Sequence, residues 1–250
     1  MMLKLHDVSV SYGATPVLTD VSAGLPASGI TALIGPNGTG KSTLLKAVAG
    51  MIPATGNIAY ADRPLVESEV AYMPQDTSQK SALTVFEVIL LGRLKSLSLR
   101  VDPALVDEAA SLIAAFNLQA LQERTLDRLS GGQRQMVFLL QSLFRRPQIL
   151  LLDEPTAALD MKHQLFVLDT IRRYCREHGI VAVAAIHDLT LAARFSDRVL
   201  CLDKGRVHAE GTPAEVLTTA MIREVYRVEA EVLKSSSGHL SIIPLGAMAA

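Results

Sequence analysis

Residues 35–43, Gly-Pro-Asn-Gly-Thr-Gly-Lys-Ser-Thr, have the types and order needed to hold a chain of phosphates. They fit the pattern G-x-x-x-x-G-K-[ST]. Glycines at Gly35, Gly38 and Gly40 let the backbone turn its N–H groups onto phosphate oxygens, and Pro36, Asn37 and Thr39 complete the loop. Lys41 supplies a mobile positive charge for the outer phosphates, and the Ser42 hydroxyl, next to Thr43, can hold Mg²⁺. A helix opening at Lys41 would aim its positive end at the same anion.

Two further stretches complement this loop. Ile149-Leu150-Leu151-Leu152-Asp153-Glu154 is an apolar strand that ends in two carboxylates, at the edge where open α/β sheets bind ligands. Asp153 suits the shell of the Mg²⁺ ion, and Glu154, one residue on, suits a general base for attacking water. Leu129-Ser130-Gly131-Gly132-Gln133 is a second phosphate-shaped motif, a hydroxyl and two glycines at a helix start. One phosphate-binding fold does not need a second such site so far along the chain.

With this last motif the chain resembles the ATP-binding subunits of ABC transporters, whose signature is Leu-Ser-Gly-Gly-Gln. The resemblance covers nearly the whole chain. It implies that Tyr12 stacks on adenine and that Gln75, in Tyr72-Met73-Pro74-Gln75, contacts metal and water. It implies that Asp160, in Ala157-Ala158-Leu159-Asp160, lies in the loop between paired subunits, and that His187, in Ile186-His187-Asp188, reaches the outer phosphate. ATP and Mg²⁺ are the implied cofactors. Lys41, Gln75, Glu154 and His187 are the implied catalytic set, and Ser42, Gln75 and Asp153 the metal set. A second copy of the chain is the implied partner in an ATP sandwich, in which Ser130, Gly131, Gly132 and Gln133 face the other copy's nucleotide. One departure, Ala157-Ala158 where Ser-Ala is common, leaves the pairing intact.

A single cassette without membrane segments resembles bacterial importers whose permease is a separate chain. Thr84–Val88, Leu91-Gly92-Arg93, Leu159–Gln164 and Gly211–Leu217 look like the cassettes for iron-siderophores, haem and cobalamin. The resemblance implies integral membrane permease subunits as partners, a substrate-binding protein reached through them, and the cytoplasmic face of the bacterial inner membrane. A zinc or manganese importer, or a nontransport ATPase of assembly or DNA maintenance, is the alternative. The groove beside Gln75, between Asp76 and Leu91, is the expected dock for a permease helix.

Positioning these residues requires an α/β fold. We expect a phosphate-loop core with a mainly parallel sheet, an antiparallel β subdomain and an inserted helical subdomain. The core would span residues 1–75 and 147–250, and the helical subdomain 76–146. Leu3 and Leu5 alternate, then Val8, Val10 and Tyr12 alternate in the opposite phase, so the first strand bends near His6-Asp7. A second strand follows from about Val17 to Leu25, and Ile30–Ile34 reads as a strand buried on both faces. Helices are expected at Ser42–Ala49, Thr84–Leu91, from Asp102-Pro103, from Ser130, at Asp160–His178 and at Asp188–Phe195. Leu105, Val106, Ala109, Leu112, Ile113 and Phe116 share one helical face. Strands are expected at Ile149–Leu152, Ile180–Ile186 and Arg198–Leu202, and Thr212–Glu215 forms a capping box. The tail from Ser235 reads as a short strand, Leu240–Ile243, with a mobile end.

Composition narrows the function classes. The 250 residues carry a net charge of −1, 4% aromatics and no tryptophan, which argues against nucleic acid as a partner. The start carries acid and base where a signal peptide needs an apolar core. The longest apolar run, Ile180–Ile186, is far short of the roughly 18–20 residues that span a bilayer. Cys175 and Cys201 read as buried thiols, and the scattered histidines His6, His163, His178, His208 and His239 lack metal-ligand spacing.

Overall fold

A strand covered on both faces must be apolar at nearly every position. Gly29–Ile34, Ile149–Asp153 and Val181–Ala185 meet that requirement, and every residue in them is buried. The computed structural model describes residues 1–76, 81–96, 101–236 and 238–248. In chain order it contains β1 (Met2–Tyr12), β2 (Thr15–Pro26), β3 (Gly29–Ile34), α1 (Lys41–Val48), β4 (Thr55–Tyr60), β5 (Arg63–Pro64) and β6 (Val70–Met73). Helices α2 (Val85–Leu90), α3 (Pro103–Ala115) and α4 (Gly131–Phe144) follow, then β7 (Ile149–Asp153), α5 (Met161–His178), β8 (Val181–Ala185) and α6 (Leu189–Phe195). The chain ends with β9 (Arg198–Asp203), β10 (Arg206–Gly211), α7 (Pro213–Val216), α8 (Thr219–Met221), β11 (Val228–Lys234) and β12 (Leu240–Ala247).

The fold is α/β. A 6-stranded sheet has the order β10-β9-β3-β8-β7-β6, parallel except for the edge strand β10. A 4-stranded antiparallel sheet, β2-β1-β4-β5, lies over one of its faces. The period-2 pleat sorts the core into two halves. Ile149 and Leu151 of β7 join α1 and the antiparallel sheet on one face. Leu150 and Leu152 join α4, α5 and α6 on the other. Helices α2, α3 and α4 enter between β6 and β7, and α4 packs against both α2 and β6.

Local signals explain where the helices begin. The Asp102 carboxylate accepts from Ala104 N at 2.9 Å, with Pro103 as first helical residue. Thr84 and Glu87 cap α2 reciprocally, and at α7 the Glu215 carboxylate accepts from both the backbone N–H and the hydroxyl of Thr212. Along α3 the buried residues are Ala109 and Ile113, with Phe116 just beyond, whereas Val106 lies exposed at the rim of the face.

The expected bend in β1 is a bulge: Asp7 has φ 51° and the pairing slips between Leu5 and Val8, which returns both apolar pairs to the core. The tail strand is longer than its apolar run. It continues to Ala247 because β11 pairs with it along that length. Residues 237, 249 and 250 of that tail lie outside the described residues. Strands β4, β6, β10 and β11 had no clear sequence signal, being short or mixed in polarity. Both cysteines are free and buried, and burial pushes each thiol up to about 12.

Candidate functional site

The carboxyl ends of β3, β6, β7 and β8 all open on one edge of the sheet, and each is followed by residues singled out above. After β3 comes the phosphate loop. Gly35 has φ 142°, and a Cβ there would stand 2.2 Å from Leu202 O, so no side chain fits. Lys41 Nζ donates to Gly35 O at 2.7 Å and Pro36 O at 3.0 Å. Its pKa is lowered by burial, against the raising effect of Glu154 and Asp153.

The pleat of β7 directs Asp153. It is in phase with Ile149 and Leu151, so it faces α1. There Ser42 Oγ donates to Asp153 Oδ1 at 3.0 Å. Tyr72, on the neighbouring β6, donates its hydroxyl to Asp153 Oδ2 at 3.2 Å, and burial followed by the Asp153 charge raises the phenol's pKa. Glu154 leaves the strand with φ 53°, and its Oε1 lies 2.5 Å from His187 Nε2. His187 follows β8, just before α6.

Asn37, Gly38, Gly40, Lys41, Ser42, Thr43, Gln75, Glu154 and His187 line one cleft of about 470 Å³, with Val17 on its wall. Pro36 and Thr39 of the loop border an adjacent hollow with Asp203, Lys204 and Arg227, and Gly35 lines neither space. Tyr12 is half exposed at the end of β1 and outside the lining of that cleft.

The signature residues stand elsewhere. Ser130, Gly131, Gly132 and Gln133 line a larger cleft of about 680 Å³ with Asp160, His163 and Phe116. Ser130 Oγ accepts from Gln133 N at 3.3 Å and Gln133 Oε1 accepts from Ser130 N at 3.0 Å, a reciprocal cap on α4. Asp160 caps α5 by accepting from His163 N at 2.9 Å, which lowers its pKa.

Sequence reasoning missed two residues here. Tyr72 stands three residues before Gln75, and its signal in the sequence is a single hydroxyl in the short apolar run Val70–Met73. Gln135 is 2% exposed on α4 and hydrogen-bonds the Glu154 and Ala158 backbone. Its signal was an amide inside the apolar stripe of a helix.

One stability test arises at the edge of the cleft. Asp188 accepts from Thr190 N at 2.8 Å and Leu191 N at 2.9 Å, capping α6 next to His187. Asp188→Ala is expected to cost about 1 kcal/mol in denaturant unfolding. An unchanged midpoint would show that the cap contributes nothing.

A phosphate loop, an acid-tipped strand and a signature helix on one α/β sheet define an ATP-binding cassette. Residues 18–157 match the ABC transporter family, and the chain belongs to that family. It is therefore an ATP-binding ATPase of the ABC class. Its relatives are more particular. It is 38% identical over 244 residues to the hemin import ATP-binding protein of Thermobifida fusca, covering 93% of this chain and 84% of the relative. It is 35% identical over 243 residues to the iron(3+)-hydroxamate import ATP-binding protein of Bacillus subtilis, covering 92% and 90%. Among solved structures, the ATP-binding subunit of an ABC transporter superposes with a TM-score of 0.77 at 27% identity, covering 86% of this chain and 92% of that one. A transporter described as of metal-chelate type, in an inward-facing conformation, superposes with a TM-score of 0.85 at 24% identity over 98% of both chains, which speaks for the fold.

Proposed function

We propose that this chain is the ATP-hydrolysing subunit of an importer for a metal chelate, iron-siderophore or haem ahead of cobalamin. The observation that carries the energy-coupling part is the gathering of Lys41, Ser42, Gln75, Glu154 and His187 around one cleft. The cargo rests on likeness to import subunits along most of the chain. The cargo itself passes through a separate membrane permease, supplied by a substrate-binding protein, and this chain works at the cytoplasmic face of the membrane. No helix among the described residues is long and apolar enough to cross it.

In the proposed mechanism the loop from Gly35 wraps the phosphates and Lys41 neutralises the outer ones. The paired Ser42 hydroxyl and Asp153 carboxylate are hard oxygen donors of the kind Mg²⁺ takes, and with Gln75, which lines the same cleft as Ser42, they would hold that ion. When bound, the ion would neutralise charge developing on the phosphates. Tyr72 holds the second Asp153 oxygen and so fixes that carboxylate's orientation. Glu154 takes the proton from the attacking water, and His187, bonded to it, positions the carboxylate and faces the outer phosphate.

Two copies would close head to tail around ATP, because the signature and the phosphate loop of one chain line different clefts. Closure would be sensed at Gln75 and passed to the inserted helices. The proposed permease dock lies between Asp76 and Leu91; residues 77–80 of that stretch lie outside the described residues.

Uptake of radiolabelled iron-chelate by cells lacking this chain, with and without its return, tests the cargo. Uptake is expected to be lost and then restored. Unchanged chelate uptake with a fall in zinc or manganese uptake would overturn the cargo and leave the ATPase.

A further inference from the structure

A buried amide is costly unless its donor and acceptor are both engaged. Gln135 is 2% exposed among apolar neighbours on α4, which include Met136, Val137, Leu139 and Leu140. Its Nε2 donates to Glu154 O at 2.7 Å, and its Oε1 accepts from Ala158 N at 3.2 Å. These two backbone groups open and nearly close the segment that runs from Glu154 to Asp160. Glu154 sits in the left-handed region at φ 53°, a conformation that persists only when its surroundings over-determine it.

A second contact acts on the same segment. A Cβ at Gly132 would stand 2.9 Å from Leu159 Cδ2 and 3.0 Å from Ala158 O. At Gly131 the nearest atom would be Ala158 Cβ, 3.8 Å away. The second glycine of the signature therefore brings the start of α4 against the segment, while a Cβ at the first would make only an ordinary van der Waals contact. From the far side Gln164 of α5 donates to Thr156 O at 3.2 Å.

We propose that Gln135 is a positioning residue for hydrolysis in its own chain. It ties the helix that carries the signature cleft to the backbone of Glu154, so that the placement of α4 sets the direction of the Glu154 carboxylate towards His187. The signature helix thus acts on its own chain's base as well as presenting Ser130 to a second cleft. The inference rests on the reading of Glu154 as base.

The test is steady-state ATP hydrolysis by the full chain. Gln135→Met keeps the length and loses both hydrogen bonds. Its kcat is expected to fall about 10²-fold, the scale of a catalytic group displaced by about 1 Å, with KM for ATP within about twofold because the phosphate loop is untouched. Gln135→Glu keeps the acceptor for Ala158 N and regains a donor to Glu154 O only when its carboxyl is protonated. Its kcat relative to the parent chain is therefore expected to rise as pH falls from about 8 to about 6. Parent-level kcat in Gln135→Met overturns the proposal, as does a flat pH ratio for Gln135→Glu if Gln135→Met fails to fold. Glu154→Gln is measured alongside. If it is inactive while Gln135→Met is normal, only the tie fails; if it turns over normally, the reading of Glu154 falls and the proposal falls with it.

Discussion

Glu154→Gln is expected to keep binding ATP while hydrolysing it roughly 10²–10⁴-fold more slowly, the range a positioned general base contributes. The amide matches the carboxylate in size and cannot take the proton from water. Among the described residues the neighbouring candidates are already engaged: His187 contacts Glu154 itself, and Asp153 is held by Ser42 and Tyr72. Binding should survive because Lys41, the loop glycines and the start of α1 do not depend on Glu154 for their geometry. The Lys41 ammonium is held by Gly35 O and Pro36 O rather than by a carboxylate. Phosphate release measures the rate and equilibrium dialysis the affinity. Trapped ATP should also accumulate the proposed pair of copies, visible by light scattering. Near-normal turnover would remove Glu154 from the role of base.

Ser130→Arg is expected to reduce turnover by about 10²–10³-fold, the loss seen when a preorganised donor to developing charge is removed, with little change in the affinity of one chain for ATP. The two effects separate because the signature and the phosphate loop line different clefts. Arginine removes the hydroxyl that closes the reciprocal cap with Gln133 and fills the mouth of the signature cleft. A nucleotide held by Lys41 of the same chain would not meet it. A nucleotide presented by a second copy would. Equal losses in affinity and turnover would mean that the signature serves its own chain's nucleotide, against the head-to-tail pairing. Mixing Ser130→Arg with Glu154→Gln offers a sharper form, since one composite site of the mixed pair keeps both Glu154 and Ser130 and should recover part of the lost activity.

The sequence alone was enough for the parts whose chemistry is local. A phosphate loop needs glycine, lysine and hydroxyl in a fixed order, so Gly35–Thr43 is legible without a fold. The strands of the parallel sheet are legible because burial on both faces demands unbroken apolar runs, as at Ile149–Leu152. Helix starts at Asp102, Ser130 and Asp188 are legible because a cap acts on N–H groups two or three residues away. Only the tertiary structure decided which of these pieces meet. Asp153 faces Ser42 because the pleat of β7 puts it in phase with Ile149 and Leu151, beneath α1, and the sheet order brings Tyr72 alongside. The short strand β6, which delivers Gln75 to the edge, is stable because β7 pairs with it, not because four residues prefer to be extended. Gln135 is 19 residues from Glu154 in the chain and hydrogen-bonds its carbonyl only because α4 packs onto the loop after β7. Such contacts join residues of ordinary type at no characteristic spacing, so periodicity and motif are silent about them, and the packing of helix on sheet determines them.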